Sequence, residues 1–159
     1  MKAPNPTSKS ILKWAVLSLL VVSIGCSGNK KPNASDFQKE TVVEETNLDP
    51  LKNKGIGPIR EIILKPIDTT LVVEGKLLFE QLCSACHKID KKFVGPPPSG
   101  ILERRTPEWV LNMIMNPEEM IQKDPIAKQL FIEYNGAPMA NQNVSEDEAR
   151  RILEYFRTL

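Results

Sequence analysis

Apolar positions in this chain gather into one dense run near its start and, beyond residue 71, into short stretches at helical spacing. The run is "WAVLSLLVVSI", Trp14 to Ile24, too short to span a membrane comfortably. From Ser27 to about Lys54 the chain is rich in Lys, Asn, Glu and Thr with no sustained apolar period, which predicts a flexible tether over 26–55. Residues 56–71, "IGPIREIILKPIDTTL", hold isoleucines and leucines between Pro58 and Pro66 and predict an extended strap rather than a helix.

After the strap the sequence is punctuated as short helices. The first runs through "VVEGKLLFEQLCSACHK", with Val73, Leu77, Leu78 and Leu82 at helical spacing. "TPEWVLNMIM" opens with Thr106 as N-cap and Pro107 at the first helical position, and "NPEEMI" repeats that signal with Asn116 and Pro117. "DPIAKQLFIEYNG" begins at Asp124 and Pro125 and closes at Asn135 and Gly136. "SEDEARRILEYFRTL" carries a capping box, Ser145 with Glu148, and an inner stripe of Ala149, Ile152, Leu153 and Phe156. The expectation is an all-α domain over 72–159, small enough that its own core would be marginal.

Composition changes this picture chiefly at the N-terminus. The whole chain has 159 residues and a formal net charge of +1, but Lys2, Lys9 and Lys13 precede any acidic residue. Lysines, an apolar run and small Gly25 before Cys26 are the parts of an export signal over 1–25. "VSIGC" resembles the lipobox of bacterial lipoproteins, in which the cysteine is lipidated and becomes the new N-terminus. That resemblance implies lipidation at Cys26 and a lipid-anchored place in the bacterial cell envelope, on the periplasmic or extracytoplasmic face. Ser23 departs from the commoner leucine three residues before the cysteine. An uncleaved anchor and a plain secretory signal are the alternatives. The mild charge balance argues against nucleic acid as a partner, since that needs a clustered basic face.

The remaining chemistry sits in "FEQLCSACHK", residues 79 to 88, which holds Cys83, Cys86 and the chain's only histidine, His87. A zinc site of the C-x-x-C kind wants four ligands and a second pair, which three cysteines and one histidine do not supply. A thioredoxin-like motif would sit between strand and helix, whereas the residues before Cys83 read as helix. C-x-x-C-H is the signature of covalent c-type haem attachment. On a helical turn the two thiols share a face and can bond the two vinyl carbons along one haem edge, while His87, one residue further round, can reach the iron.

With that motif and the order of helices in view, residues 72–159 resemble a class I monohaem cytochrome c. Gly75 and Phe79 match the glycine and aromatic with which that family's first helix packs across the last, here facing Ile152 and Tyr155 or Phe156. "VGPPPSG" resembles the loop whose first proline carbonyl holds the histidine ring, which points to Pro96. A merely stiff turn is the plainer reading for Pro97 and Pro98. No second histidine exists, so the resemblance implies a distal methionine. Met139, in the loop "NGAPMANQN", stands where the family has it; Met120 is the runner-up, and Met113 and Met115 read as core residues. The family often has M-P, whereas Pro138 here precedes the methionine.

Arg104 and Arg105 follow the proline loop, where the family often turns donors toward haem propionates; an exposed arginine pair is the competing reading. The Trp109 indole can reach a propionate or serve as a core aromatic. Glu118, Glu119, Glu146 and Asp147 open helices and favour the dipole rather than acid/base catalysis. The resemblance implies one covalent haem c with its iron, and an electron carrier, not an enzyme. A haem-based gas sensor or peroxidase-like protein with a displaceable distal ligand is the alternative. The run from "VGPPPSGIL" to "NGAPMANQ" also looks like lipoprotein cytochromes of nitrogen-oxide respiration. It implies a quinol-oxidising complex as donor and a terminal reductase or oxidase as acceptor, with nitrous oxide reductase one candidate.

Overall fold

Each helix begins close to the position its capping residues indicate. A computed structural model of the chain describes residues 48–159; the signal segment, Cys26 and the tether as far as residue 47 lie outside the described residues. Within them are five helices and no strand: α1 (Thr69–Leu82), α2 (Pro107–Met115), α3 (Pro117–Lys123), α4 (Pro125–Glu133) and α5 (Glu146–Phe156), with a 3-10 turn at Ile101–Glu103. None of these helices is long and apolar enough to cross a membrane.

Local chemistry explains the boundaries. Asp68 caps α1 by accepting the N–H groups of Thr70 and Leu71, so the helix starts inside the segment expected to be strap. Thr106 and Asp124 cap α2 and α4, each followed by a proline whose fixed φ suits the first turn. Asn116 holds the corresponding position before α3 but makes no side-chain cap; its amide donates instead to Glu119 at 2.7 Å. The carboxylate three residues on takes the Nδ2 donor and so orients the side chain, and Oδ1 makes no cap bond. Asn135 and Gly136, both at positive φ, end α4, with the Gly136 N–H returning to the Phe131 carbonyl. Ser145 and Glu148 complete both halves of the capping box on α5.

Packing centres on the crossing of α1 and α5. A β-carbon on Gly75 would collide with the Arg151 carbonyl, so glycine is what allows the two backbones to meet. Phe79 packs there with its ring centroid 5.9 Å from Tyr155 and 5.7 Å, edge-on, from Phe156. Two members of the expected apolar stripe face away: Val73 and Leu77 are 60% and 52% exposed, because the crossing turns Gly75 and Phe79 inward. Leu111, Met120, Ala149, Ile152 and Leu153 form the fully enclosed centre.

The tether boundary is corrected by the segment before Ile56. Asn53, expected to be flexible, is fully buried and donates to Asp124 at 2.7 Å. Next to it, Asn112 accepts the Ile59 N–H and donates to the carbonyls of Lys54 and Ile59. Met120 and Glu108 take the N–H groups of Ile56 and Ile62. The strap is thus extended, as its prolines suggest, but it is docked by side chains of α2 and α3. Polar composition misleads here because hydrogen bonds, not apolar burial alone, hold the segment.

Candidate haem cavity

The end of α1 turns the cysteine motif into a cavity wall. Cys83 caps the helix, and the N–H groups of Cys86 and His87 both return to the Cys83 carbonyl, at 3.1 and 2.9 Å. This turn sets both thiols and the imidazole on one cavity of about 230 Å³. Cys83 is partly buried, Cys86 exposed. Burial, and then the adjacent Cys86, push the Cys83 thiol up to about 11 from its ordinary 9.0. No group of three His, Cys, Asp or Glu side chains suited to a bare metal ion occurs among the described residues.

His87 is held from two sides. Its Nδ1 lies 2.7 Å from the carbonyl oxygen of Pro96. Because a carbonyl only accepts, this bond keeps the proton on Nδ1 and leaves the Nε2 lone pair for a metal. Gly95 lies against the ring face: a β-carbon there would stand 2.8 Å from Nδ1 and 2.9 Å from Nε2. The sequence hid that role, since a glycine before three prolines reads first as part of a turn.

Pro96, Arg104, Arg105, Trp109 and Met139 line the same cavity as Cys83, Cys86 and His87. Their donors do different things. Arg104 reaches back to the carbonyls of Ser99 and Pro97, at 2.9 and 3.1 Å, and braces the proline loop. The Trp109 indole N–H donates to buried Asp124 at 3.1 Å, in keeping with the core-aromatic reading over the propionate one, and its ring contributes apolar wall. Arg105 also donates to a carbonyl, from Nη1 to Arg104 at 2.6 Å, but keeps one donor unused. Its guanidinium sits 5.2 Å from the Trp109 ring centroid, and its Nε is the only buried side-chain nitrogen or oxygen without a partner among the described residues. Burial, then the neighbouring Arg104, lower its pKa, while Asp124 and Glu133 oppose that shift.

The two candidate methionines separate clearly. Met120 is fully enclosed, with its sulfur taking the Ile56 N–H at 3.0 Å, and it does not reach the cavity. Met139 comes from the loop after Gly136 and lines the cavity, as does Met113 from α2.

These residues fit a covalent haem. Two thiols and an imidazole share a wall, glycine leaves the ring its space, and an orphaned buried Nε offers an anion a charge-assisted bond. A small all-α fold around such a cavity defines a haem-binding electron-transfer protein. Residues 72–159 match the family described as Cytochrome c, and the chain belongs to that family. It carries haem c with its iron, attached through Cys83 and Cys86, and is a haem-based electron-transfer protein.

Solved structures agree with this placement. A cytochrome c from Rhodothermus marinus is 41% identical, covering 69% of this chain and 96% of its own, with a TM-score of 0.65. An engineered form of that cytochrome, Rma TDE, is 38% identical over 71% of this chain and 96% of its own, with a TM-score of 0.63. The same engineered protein bound to a carbene intermediate aligns with a TM-score of 0.61 at 38% identity over the same shares of both chains. No curated protein sequence matches this chain.

Proposed function

We propose that this protein is a membrane-tethered single-electron carrier in which His87 and Met139 would hold the haem iron. The observation that carries the ligand assignment is that His87 and Met139 line one cavity, whereas Met120 is engaged with the strap. Haem held in that cavity would supply one-electron chemistry at its iron. His87 offers Nε2 because Pro96 holds its other nitrogen. Met139 would offer the iron a thioether, which favours the ferrous state and would leave no open position for exogenous ligands. Arg105 neutralises an anionic propionate through its unpartnered Nε.

The lipobox-like stretch supports the tether: Cys26 carries the lipid, and the export signal delivers the domain to the extracytoplasmic face of the cell envelope. The proposed electron donor is a quinol-oxidising complex, and the acceptor a terminal reductase or oxidase, nitrous oxide reductase among them. Confinement near the membrane raises the effective concentration beside anchored partners.

Carbon monoxide tests the ligation. The reduced native protein is expected to bind it poorly, and prompt binding overturns the closed distal site. Cell fractionation tests the tether: Cys26→Ala moves the protein from membrane to soluble fraction, and unchanged retention overturns lipid anchoring.

A further inference from the structure

Asp124 is 1% exposed and accepts three hydrogen bonds: Trp109 Nε1 at 3.1 Å and the Ala127 N–H at 2.8 Å on Oδ1, and Asn53 Nδ2 at 2.7 Å on Oδ2. The first is tied to the cavity, the second to the start of α4, and the third to the strap-side segment outside the cytochrome match. Asn53 is itself fixed, with its Oδ1 taking the Gly55 N–H at 2.7 Å and its carbonyl taking the Thr106 hydroxyl at 2.6 Å. The far end of the chain of contacts is Arg105, whose guanidinium lies over the Trp109 ring with Nε free.

We propose that Asp124, held by Asn53, is a positioning residue for the anionic side of the haem cavity: through Trp109 it fixes the surface on which Arg105 meets a haem propionate. The segment around Asn53 thereby belongs to the redox centre and is not only a lead to it. A buried carboxylate keeps its place only if its lone pairs are met, so each of the three donors constrains it and, with it, the indole. An indole fixed by its N–H presents a constant face to the guanidinium, whose attraction to that face depends on position. Loss of the Asn53 bond frees the carboxylate, then the ring, and leaves Arg105 held only by its Nη1 bond to the Arg104 carbonyl, so that its Nε side can turn away from the cavity. A positive charge withdrawn from the haem favours the ferric state.

This inference rests on the haem-carrier reading above. The test uses full-length holoprotein and compares native protein, Asn53→Ala, and the exchange Asn53→Asp with Asp124→Asn. Asn53→Ala changes no charge. The exchange keeps the total charge and restores the bonding pattern, because the carboxylate introduced at position 53 accepts from the amide introduced at position 124, whose oxygen accepts from Trp109 and Ala127. Midpoint potential and hydrogen exchange of the Trp109 indole N–H are read together. Asn53→Ala is expected to lower the potential and speed indole exchange, and the double exchange, which moves a charge and so shifts the potential by itself, to return indole exchange toward its native rate. A native potential in correctly loaded Asn53→Ala, with only a lower melting temperature, overturns the proposal and leaves the strap a structural clamp. If Asn53→Ala does not fold, the milder Asn53→Ser decides without moving a charge: quickened indole exchange at an unshifted potential also overturns it, since placement of the ring would then not set the potential. Covalent haem content and the axial-ligand absorption bands are measured in the same samples, so failure of the carrier reading shows there separately.

Discussion

The sulfur of Met120 accepts the backbone N–H of Ile56 at 3.0 Å, joining α3 to the strap. That engagement keeps Met120 out of the cavity, which Met139 and Met113 line, so Met120 and the proposed ligand Met139 should respond differently to replacement. Met139→Ala is expected to lower the reduction potential and admit carbon monoxide. Met120→Leu should keep the native spectrum and potential but cost about 1 kcal/mol, the lower end of the penalty for an N–H stripped of its acceptor, since this bond is only partly buried. Redox titration and urea unfolding of the two variants check this.

Gly95→Ala should disturb the site without touching a ligand. The added methyl group meets the His87 ring face, and the proline loop that carries Gly95 is braced by Arg104 and yields little. Overpacking of this kind costs roughly 1–3 kcal/mol. A lower yield of covalent haem and a shifted reduction potential are the expected readings.

Gly75→Ala separates the α1 and α5 backbones, because its methyl group runs into the Arg151 carbonyl. Neither side of the contact is a flexible side chain, so the helices themselves must shift. A stability loss of about 3 kcal/mol or more is expected, at or above the upper end of ordinary overpacking. Thermal unfolding measures it, and Val73→Ala on the exposed face of the same helix should change little.

Acid should loosen the start of α5. The Ser145 hydroxyl and backbone N–H hold the Glu148 carboxyl below its ordinary 4.5. A depressed carboxyl stabilises the fold above the unfolded value and loses that contribution as pH falls through the folded one. Amide exchange in the first turn of α5 should therefore quicken as pH drops below about 4.5, after correction for intrinsic rates. Glu148→Gln should remove most of that pH dependence.

Much of this was legible in residue order. C-x-x-C-H announced the haem, and Thr106, Asp124 and Ser145 announced helix starts, because these signals act over three or four residues. Pro96 was found through resemblance, since the His87 to Pro96 bond depends on how a loop folds back. Long-range matching was invisible. Asn53 meets Asp124 across 71 residues, and Ile59 meets Asn112 across 53, with no local period to reveal either pair. Asn116 misled for the opposite reason: its position was right for a cap, but a closer carboxylate took its amide. Val73 and Leu77 had helical spacing yet face solvent, since which side of a helix is buried depends on its partner.

The backbone contact of Gly75 with Arg151 fastens the first described helix to the last, and the entire haem wall hangs between those two fixed points. Closure entropy rises only with the logarithm of length, about 0.6 kcal/mol for each doubling. The span from Cys83 to Ser145 can therefore lengthen at its exposed bends, such as the polar stretch around Asn141, at little cost to the crossing. The joint itself has no such freedom, since a single methyl group on Gly75 would prise it apart. Evolutionary latitude in loop length and intolerance at one glycine are thus two faces of the same architecture.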